Sequence, residues 1–177
     1  RDYYASRGLG DVYKRQAESI AWLADNCHAP IFADPVSTVK AEKLRPVLGK
    51  LHTLKPNRLE AELLSGVPIT GTDSLHRAAQ TLLETGLHRV FISLGADGVY
   101  AADQSGSVTL PAPKAEMVST TGCGDSFMAA LTWAYLQGSD LERSARAGLA
   151  ASSLTMESAE TIHPSMSEAE LLRRMAL

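Results

Sequence analysis

The stretch "STTGCGDSF", Ser119–Phe127, sets glycines on both sides of Cys123 and a carboxylate, Asp125, at the entry to an apolar run, "MAALTWAYLQG". Hydroxyls and glycines ahead of such a run mark the start of a helix. A helix start carries backbone N–H groups with no intrahelical partner and the positive end of the helix dipole. Glycines let an anion come close to those groups. The N–H groups of Gly122, Cys123, Gly124 and Asp125 can therefore form a nest for the oxygens of a phosphoryl group. Asp125 admits two readings. It can favour the helix dipole, worth ~0.3–1 kcal/mol. It can also act as a general base that takes a proton from a hydroxyl while the nest holds the transferring phosphate.

Such residues need a scaffold that aims them. "AESIAWLADNCHA" spaces Ile20 and Leu23 at helical intervals. "PIFADPV" is a short strand that stops at Asp34 and Pro35, and "LHTLKPN" is another that closes on a turn. Between them "TVKAEKLRPVLGKL" reads as a helix interrupted by Pro46. "NRLEAELLSG" is a helix capped by Asn57 and stopped at Gly66. "SLHRAAQTLLETG" is an amphipathic helix and "HRVFISLG" a strand rich in β-branched and aromatic residues. "GVYAAD" and "SVTLPAP" form an antiparallel pair around "DQSGS". Helices over Gly124–Leu136 and Leu141–Met156 follow, and "SEAELLRRM" closes the chain. Strands alternating with helices predict an α/β sheet covered on both faces. In such sheets ligands collect beyond the carboxyl ends of the strands. Three polar tips fall there, "ADPV", "LKPNRLE" and "SLGADG", alongside the glycine-rich helix start.

The chain has 177 residues, a net charge of -3 and 45% hydrophobic residues, which suits one globular domain with a core. Mild acidity gives no electrostatic reason to expect nucleic acid as a partner. No apolar run reaches the ~20 residues of a bilayer span, and the N-terminus has no signal-peptide h-region. No membrane partner and a cytoplasmic location are the expectation. Cys27 and Cys123 read as two reduced thiols. No Cys/His cluster has metal-ligand spacing.

The first segment, "RDYYASRGLGDVYKRQ", is basic, tyrosine-rich and lacks an apolar stripe. Its part Ser6–Gln16 can be encoded by a DNA string that resembles a sequencing-library adapter. Residues 1–16 are therefore expected to be an artefactual tail, the natural protein to continue upstream of Ala17, and residues 17–177 to carry the fold.

The four motifs "FADPV", "LKPNRLEAELLSG", "SLGADGVY" and "STTGCGDSF" occur in the order of the ribokinase-like (PfkB) carbohydrate kinases, and the chain resembles that family from Ala17 onward. "HTLKPNRLEAELLSG" and "LTMESAETIHPSMS" are most similar to the subgroup that acts on pseudouridine. The resemblance implies a three-layer α/β/α sandwich truncated at its N-terminal side, with residues 17–177 as the nucleotide-binding portion. It implies ATP and Mg²⁺, and a small sugar or nucleoside as acceptor. It implies Asp125 as the catalytic base and Gly122, Cys123 and Gly124 as the anion hole. Asn57 and Glu60 would act around the metal and phosphates, and Ser93, Gly95 and Gly98 would line the nucleotide site. Lys55 and Asp34 are further candidates, and the alanine-rich "ARAGLAASSLTM" would wall the adenine.

Two departures bear on this. Ser119 stands where the family carries an Asp belonging to a monovalent-cation site, which puts potassium activation in doubt. Cys123 stands where Ala is commoner, a change that a backbone donor tolerates. The family's lid and most sugar contacts lie upstream of the stretch matched, so the fragment alone is expected to be inactive, and the full-length parent a homodimer. Another sugar kinase of the ribokinase or fructokinase type, or a non-catalytic binding module, would fit the same fold. A thiol enzyme at Cys123 is a further rival, although His28, His52, His76, His88 and His163 are scattered.

Overall fold

The computed structural model describes residues 9–176. Residues 1–8, half of the segment expected to be a tail, lie outside the described residues.

The strands are β1 (Phe32–Ala33), β2 (Thr53–Leu54), β3 (Arg89–Ser93), β4 (Val99–Asp103) and β5 (Gly106–Leu110), in that spatial order in one sheet. β1, β2 and β3 run parallel, with Phe32 beside Thr53 and Leu54 beside Val90. β3, β4 and β5 form an antiparallel meander, with Phe91 opposite Ala101 and Ala101 opposite Val108. Side chains alternate across a strand, and the core divides accordingly. Val90, Ile92, Tyr100 and Ala102 face one layer, while Phe91, Val99 and Ala101 face the other.

The helices are α1 (Leu9–Asn26), α2 (Thr38–Ala41), α3 (Arg58–Ser65), α4 (Thr72–Glu84), α5 (Cys123–Leu136), α6 (Leu141–Met156) and α7 (Glu168–Met175). α3, α4 and a 3₁₀ segment, Glu42–Lys50, cover the first face, and α5 and α6 cover the second. The result is the expected three-layer α/β/α arrangement. α4 buries Leu75, Ala78, Ala79, Leu82 and Leu83, the stripe that a 3.6-residue period places on one side. α7 packs back on α6, with Leu171 among Ala147, Ala150 and Ala151.

Local chemistry sets most boundaries. Asn57 caps α3 and Gly66 ends it in the left-handed region, as the sequence predicts. Asp140 caps α6 by accepting from the N–H of Arg143 at 2.7 Å. Pro46 does not kink an α-helix. The chain instead tightens into the 3₁₀ segment from Glu42, where a missing proline N–H is absorbed. α1 begins at Leu9, before the Ala17 start expected for the fold. Among the described residues no helix is long and apolar enough to cross a membrane.

Candidate active site

β1 and β2 deliver Asp34 and Lys55 side by side just past their carboxyl ends. Lys55 Nζ donates to Asp34 Oδ2 at 2.8 Å, and both side chains are largely withdrawn from water. The other Asp34 oxygen accepts from the Val36 N–H at 3.0 Å. Val36 itself sits at φ 64, in the left-handed region that a β-branched residue avoids. Strain of this kind costs of order 1–3 kcal/mol and persists where its surroundings enforce it. Here the enforcing contacts are the Asp34 carboxylate on one side and the Ser37 cap of α2 on the other.

The turn after β2 runs into α3 through a reciprocal capping box. Asn57 Oδ1 accepts from the Glu60 N–H, and Glu60 Oε2 accepts from the Asn57 N–H, both at 2.9 Å. Glu60 is only 2% exposed. Burial raises its pKa, with the Asn57 N–H and the nearby Lys55 ammonium pulling down and the Asp34 carboxylate pushing up. Asn57 also bridges Ser93 at the end of β3, and the Ser93 N–H donates to Pro56 O at 2.9 Å. Three strand ends are thereby tied into one polar floor.

α5 starts above that floor. A Cβ added at Gly124 would lie 3.6 Å from both Asp34 Oδ2 and Lys55 Nζ, so the helix start rests on the ion pair. Gly122 precedes the helix at φ 84, and a Cβ there would meet Thr161 O at 2.5 Å. Only glycine meets both demands. The Cys123 N–H turns back to Thr120 O at 3.3 Å, which partly occupies one of the donors expected to face an anion. Asp125 is exposed in the first turn. Ser126 Oγ and Thr155 Oγ1, 2.6 Å apart, lock α5 to α6. The Cys123 thiol points at Ser152 O, and burial pushes its pKa up. A thiolate nucleophile needs the opposite shift, so the thiol-enzyme rival loses its support.

On the other flank the β3–β4 turn holds Gly95 at φ 64 and Gly98 at φ 96. A Cβ on Gly98 would strike Leu110 O at 2.0 Å, so this turn packs directly on the end of β5. Arg58 of α3 reaches Asp97 in the same turn at 3.8 Å. Leu110, Pro111, Ala112, Pro113 and Lys114 then line a cavity of about 520 Å³ whose far wall includes Leu149 and Ala150 of α6. Asp34, Lys55, Asn57, Glu60, Ser93 and the start of α5 thus meet at the strand ends, while Gly95 and Gly98 shape the neighbouring turn after β3. Sequence reasoning missed the "LPAPK" wall, although its prolines signal a segment fixed in extended form. It also missed Thr161, which no local signal ties to Gly122.

A nucleotide fits this surface by its chemistry. The start of α5 supplies N–H donors, Lys55 a cation, and the Leu110–Lys114 cavity a partly apolar recess. A Mg²⁺ ion carried by a nucleotide needs only one or two protein carboxylates besides phosphate oxygens and water. Asp34 and Glu60 are the carboxylates within reach of the floor.

The model of the pfkB family carbohydrate kinases matches residues 4–169. The chain belongs to this family. Among curated relatives it is 40% identical over 157 residues to the pseudouridine kinase of Escherichia coli (strain K12), covering 88% of this chain and 50% of that protein. It is 34% identical over 155 residues to an uncharacterized sugar kinase of the same organism, covering 85% and 42%. Among solved structures, a candidate sugar kinase from Clostridium perfringens superposes with a TM-score of 0.86 at 36% identity, covering 90% of this chain and 51% of that one. The ribokinase of Thermotoga maritima gives 0.74 at 25%, covering 88% and 52%. The ribokinase-like fold is therefore that of this pfkB chain, which spans about half the length of the curated relatives it matches.

Proposed function

We propose that this pfkB chain is the nucleotide-binding portion of a kinase that moves a phosphoryl group from ATP to a primary hydroxyl of a nucleoside, making pseudouridine 5′-phosphate from pseudouridine. The observation that carries the phosphoryl-transfer reading is the stacking of the α5 start on the buried Asp34–Lys55 pair, with Asp125 exposed beside it. Gly122 and Gly124 let phosphate oxygens approach the helix N–H groups. Lys55 places positive charge under them, held in position by Asp34. Asp125 then accepts the proton of the attacking hydroxyl as the new P–O bond forms and the bond from the γ-phosphorus to the bridging oxygen breaks, releasing ADP. Asn57 and Glu60 hold the floor rigid through their capping box, and the Glu60 carboxylate would help to hold a nucleotide-bound Mg²⁺ ion, whose charge would offset that of the phosphates. The resemblance to the E. coli pseudouridine kinase supports the choice of acceptor.

The test is Asp125→Asn in the protein extended to the length of its relatives, assayed with ATP, Mg²⁺ and pseudouridine. Turnover is expected to fall by ~10²–10⁴, the usual size of a lost general base. Nucleotide affinity is expected to stay within about threefold, because backbone groups supply the donors. Near-normal turnover would remove Asp125 from the chemistry. Turnover with ribose or fructose in place of pseudouridine would move the acceptor to another sugar.

A further inference from the structure

The last turn of α6 is the wall behind the start of α5. Met156 O accepts from the N–H groups of Val118 at 2.9 Å and Ser119 at 3.1 Å, which fixes the stretch of chain that enters the nest. Ser152 Oγ donates to Cys123 O at 2.8 Å. Thr155, fully buried, shares its hydroxyl with Ser126. The loop that leaves α6, residues 157–167, then lays Thr161 O against Gly122. One turn of α6 and the loop that it launches thus hold the nest from behind and from above.

That turn ends on an acid. Glu157 stands at the carboxyl end of α6, where a negative charge opposes the helix dipole. A carboxylate at this place needs a cation from elsewhere, and α7 supplies it. Arg174 Nη1 donates to Glu157 Oε1 at 2.9 Å and Nη2 donates to Oε2, a fork-on-fork pairing that fixes angle as well as distance. The two side chains are 18% and 24% exposed, so water screens the pair only in part. The hydrogen bond from Arg174 holds the Glu157 carboxyl below the usual carboxylate range. Arg174 Nε also reaches Glu170 Oε1 on its own helix at 3.4 Å, which keeps the guanidinium in line. Arg173, one position earlier, pairs with Glu170 and stands exposed.

We propose that Arg174 is a positioning residue for the phosphoryl transfer proposed above, on which this role rests: through Glu157 it fixes the last turn of α6 and the loop after it, and so sets where the N–H groups of Gly122, Cys123 and Gly124 stand. Arg174 also lines the Leu110–Lys114 cavity. A direct contact with the nucleotide is therefore the rival account, and Glu157, outside the described lining of that cavity, separates the two. Direct contact predicts that Glu157→Gln, which frees the guanidinium, spares the nucleotide. Positioning predicts that Glu157→Gln and Arg174→Met act alike.

The test uses the protein extended to the length of its relatives, with Arg174→Met, Glu157→Gln, the double variant, and Arg173→Met as a control on the same helix. Rates with ATP, Mg²⁺ and the acceptor are taken well below each thermal midpoint. In both single variants kcat/KM for ATP should fall about tenfold, mostly as a rise in KM for ATP, since a misplacement of about 1 Å caused far from the chemistry can cost ~10²-fold. KM for the acceptor should not move. A mere loss of folded protein would lower kcat and leave both KM values where they were. The double variant should lose no more than either single one, because one pair carries the effect. Amide hydrogen exchange follows the same contacts without catalysis. Residues 118–126 should exchange about tenfold faster in both single variants and at the unaltered rate in Arg173→Met. Unchanged exchange there in Arg174→Met overturns the proposal. So does unchanged kcat/KM for ATP in an enzyme that turns over, or a loss in Arg174→Met that Glu157→Gln does not share. Absent turnover in the unaltered protein would instead overturn the phosphoryl-transfer reading, and exchange would still decide whether Arg174 holds the start of α5 in place.

Discussion

At the carboxyl ends of β1, β2 and β3 the chain places Asp34, Lys55 and Ser93; at their amino ends it places Phe32, His52 and His88. The first set is ionic, hydrogen-bonded and overlaid by glycine backbone. The second is a pile of rings. His52 stacks on Phe32 with centroids 5.3 Å apart and on His88 at 5.4 Å, and Tyr135 meets it edge-on at 4.7 Å. Both ends must finish the same parallel strands. One does so with groups that keep donors and charge available, the other with flat surfaces that seal the core. The contrast shows where this fold spends stability on polar groups.

The largest way to break that contrast is Lys55→Met. It leaves Asp34 without its cation in a site where only a fifth of that side chain meets water. A cost of about 3 kcal/mol is expected, the lower end for a buried pair that loses one partner. Thermal unfolding should show a midpoint drop of roughly 6–12 °C, with weaker nucleotide binding by calorimetry. Gly122→Ala comes next. It forces a Cβ into the left-handed region and against Thr161 O, for about 2 kcal/mol. Nucleotide affinity should fall by more than stability alone explains, because the start of α5 must move.

The ring end should answer to pH instead. Burial first, then the neighbouring His88 and Arg89, lower the pKa of His52. Its folded form resists the proton that the unfolded chain takes up below about pH 6.5. Its contribution is therefore complete above that pH and declines as pH falls from there toward the lowered folded value. His52→Phe should flatten this decline in denaturant melts at pH 5 and pH 7.5 while leaving nucleotide affinity unchanged. An unaltered pH slope would show that other groups set it. The smallest effect is expected at Arg58, whose exposed pair with Asp97 spans 3.8 Å. Arg58→Ala should change stability by at most about 0.5 kcal/mol. A larger loss would mean that the β3–β4 turn depends on α3 for its shape.

What was legible in the sequence is what depends on near neighbours. The Asn57 cap, the Gly66 stop and the hairpin around Gly106 each follow from a few adjacent residues, and the structure keeps them. The apolar strip of α4 is equally local. The strands β1 and β2 were legible as strands but not in length. Each pairs over only two residues, because Pro35 and Pro56 cut the ladder where side chains must turn toward the site. The site residues could be named from motifs, yet their geometry could not. Asp34 meets Lys55 across the crossover from β1 to β2, and Thr161 covers Gly122 from a loop whose own residues give no hint of it. The ring pile was missed for the same reason. His52 and His88 look scattered until parallel pairing sets their strands side by side.

Two cysteines of unlike temper turn this architecture into a clock. Cys27 is exposed just past the end of α1, while the Cys123 sulfur faces Ser152 O under the start of α5. A maleimide should consume Cys27 at once and reach Cys123 only when α5 lifts from α6, since alkylation needs thiolate and access. The slow labelling phase would then time the opening of the helix whose start is the proposed phosphate nest. A bound nucleotide that clamps that helix should lengthen it.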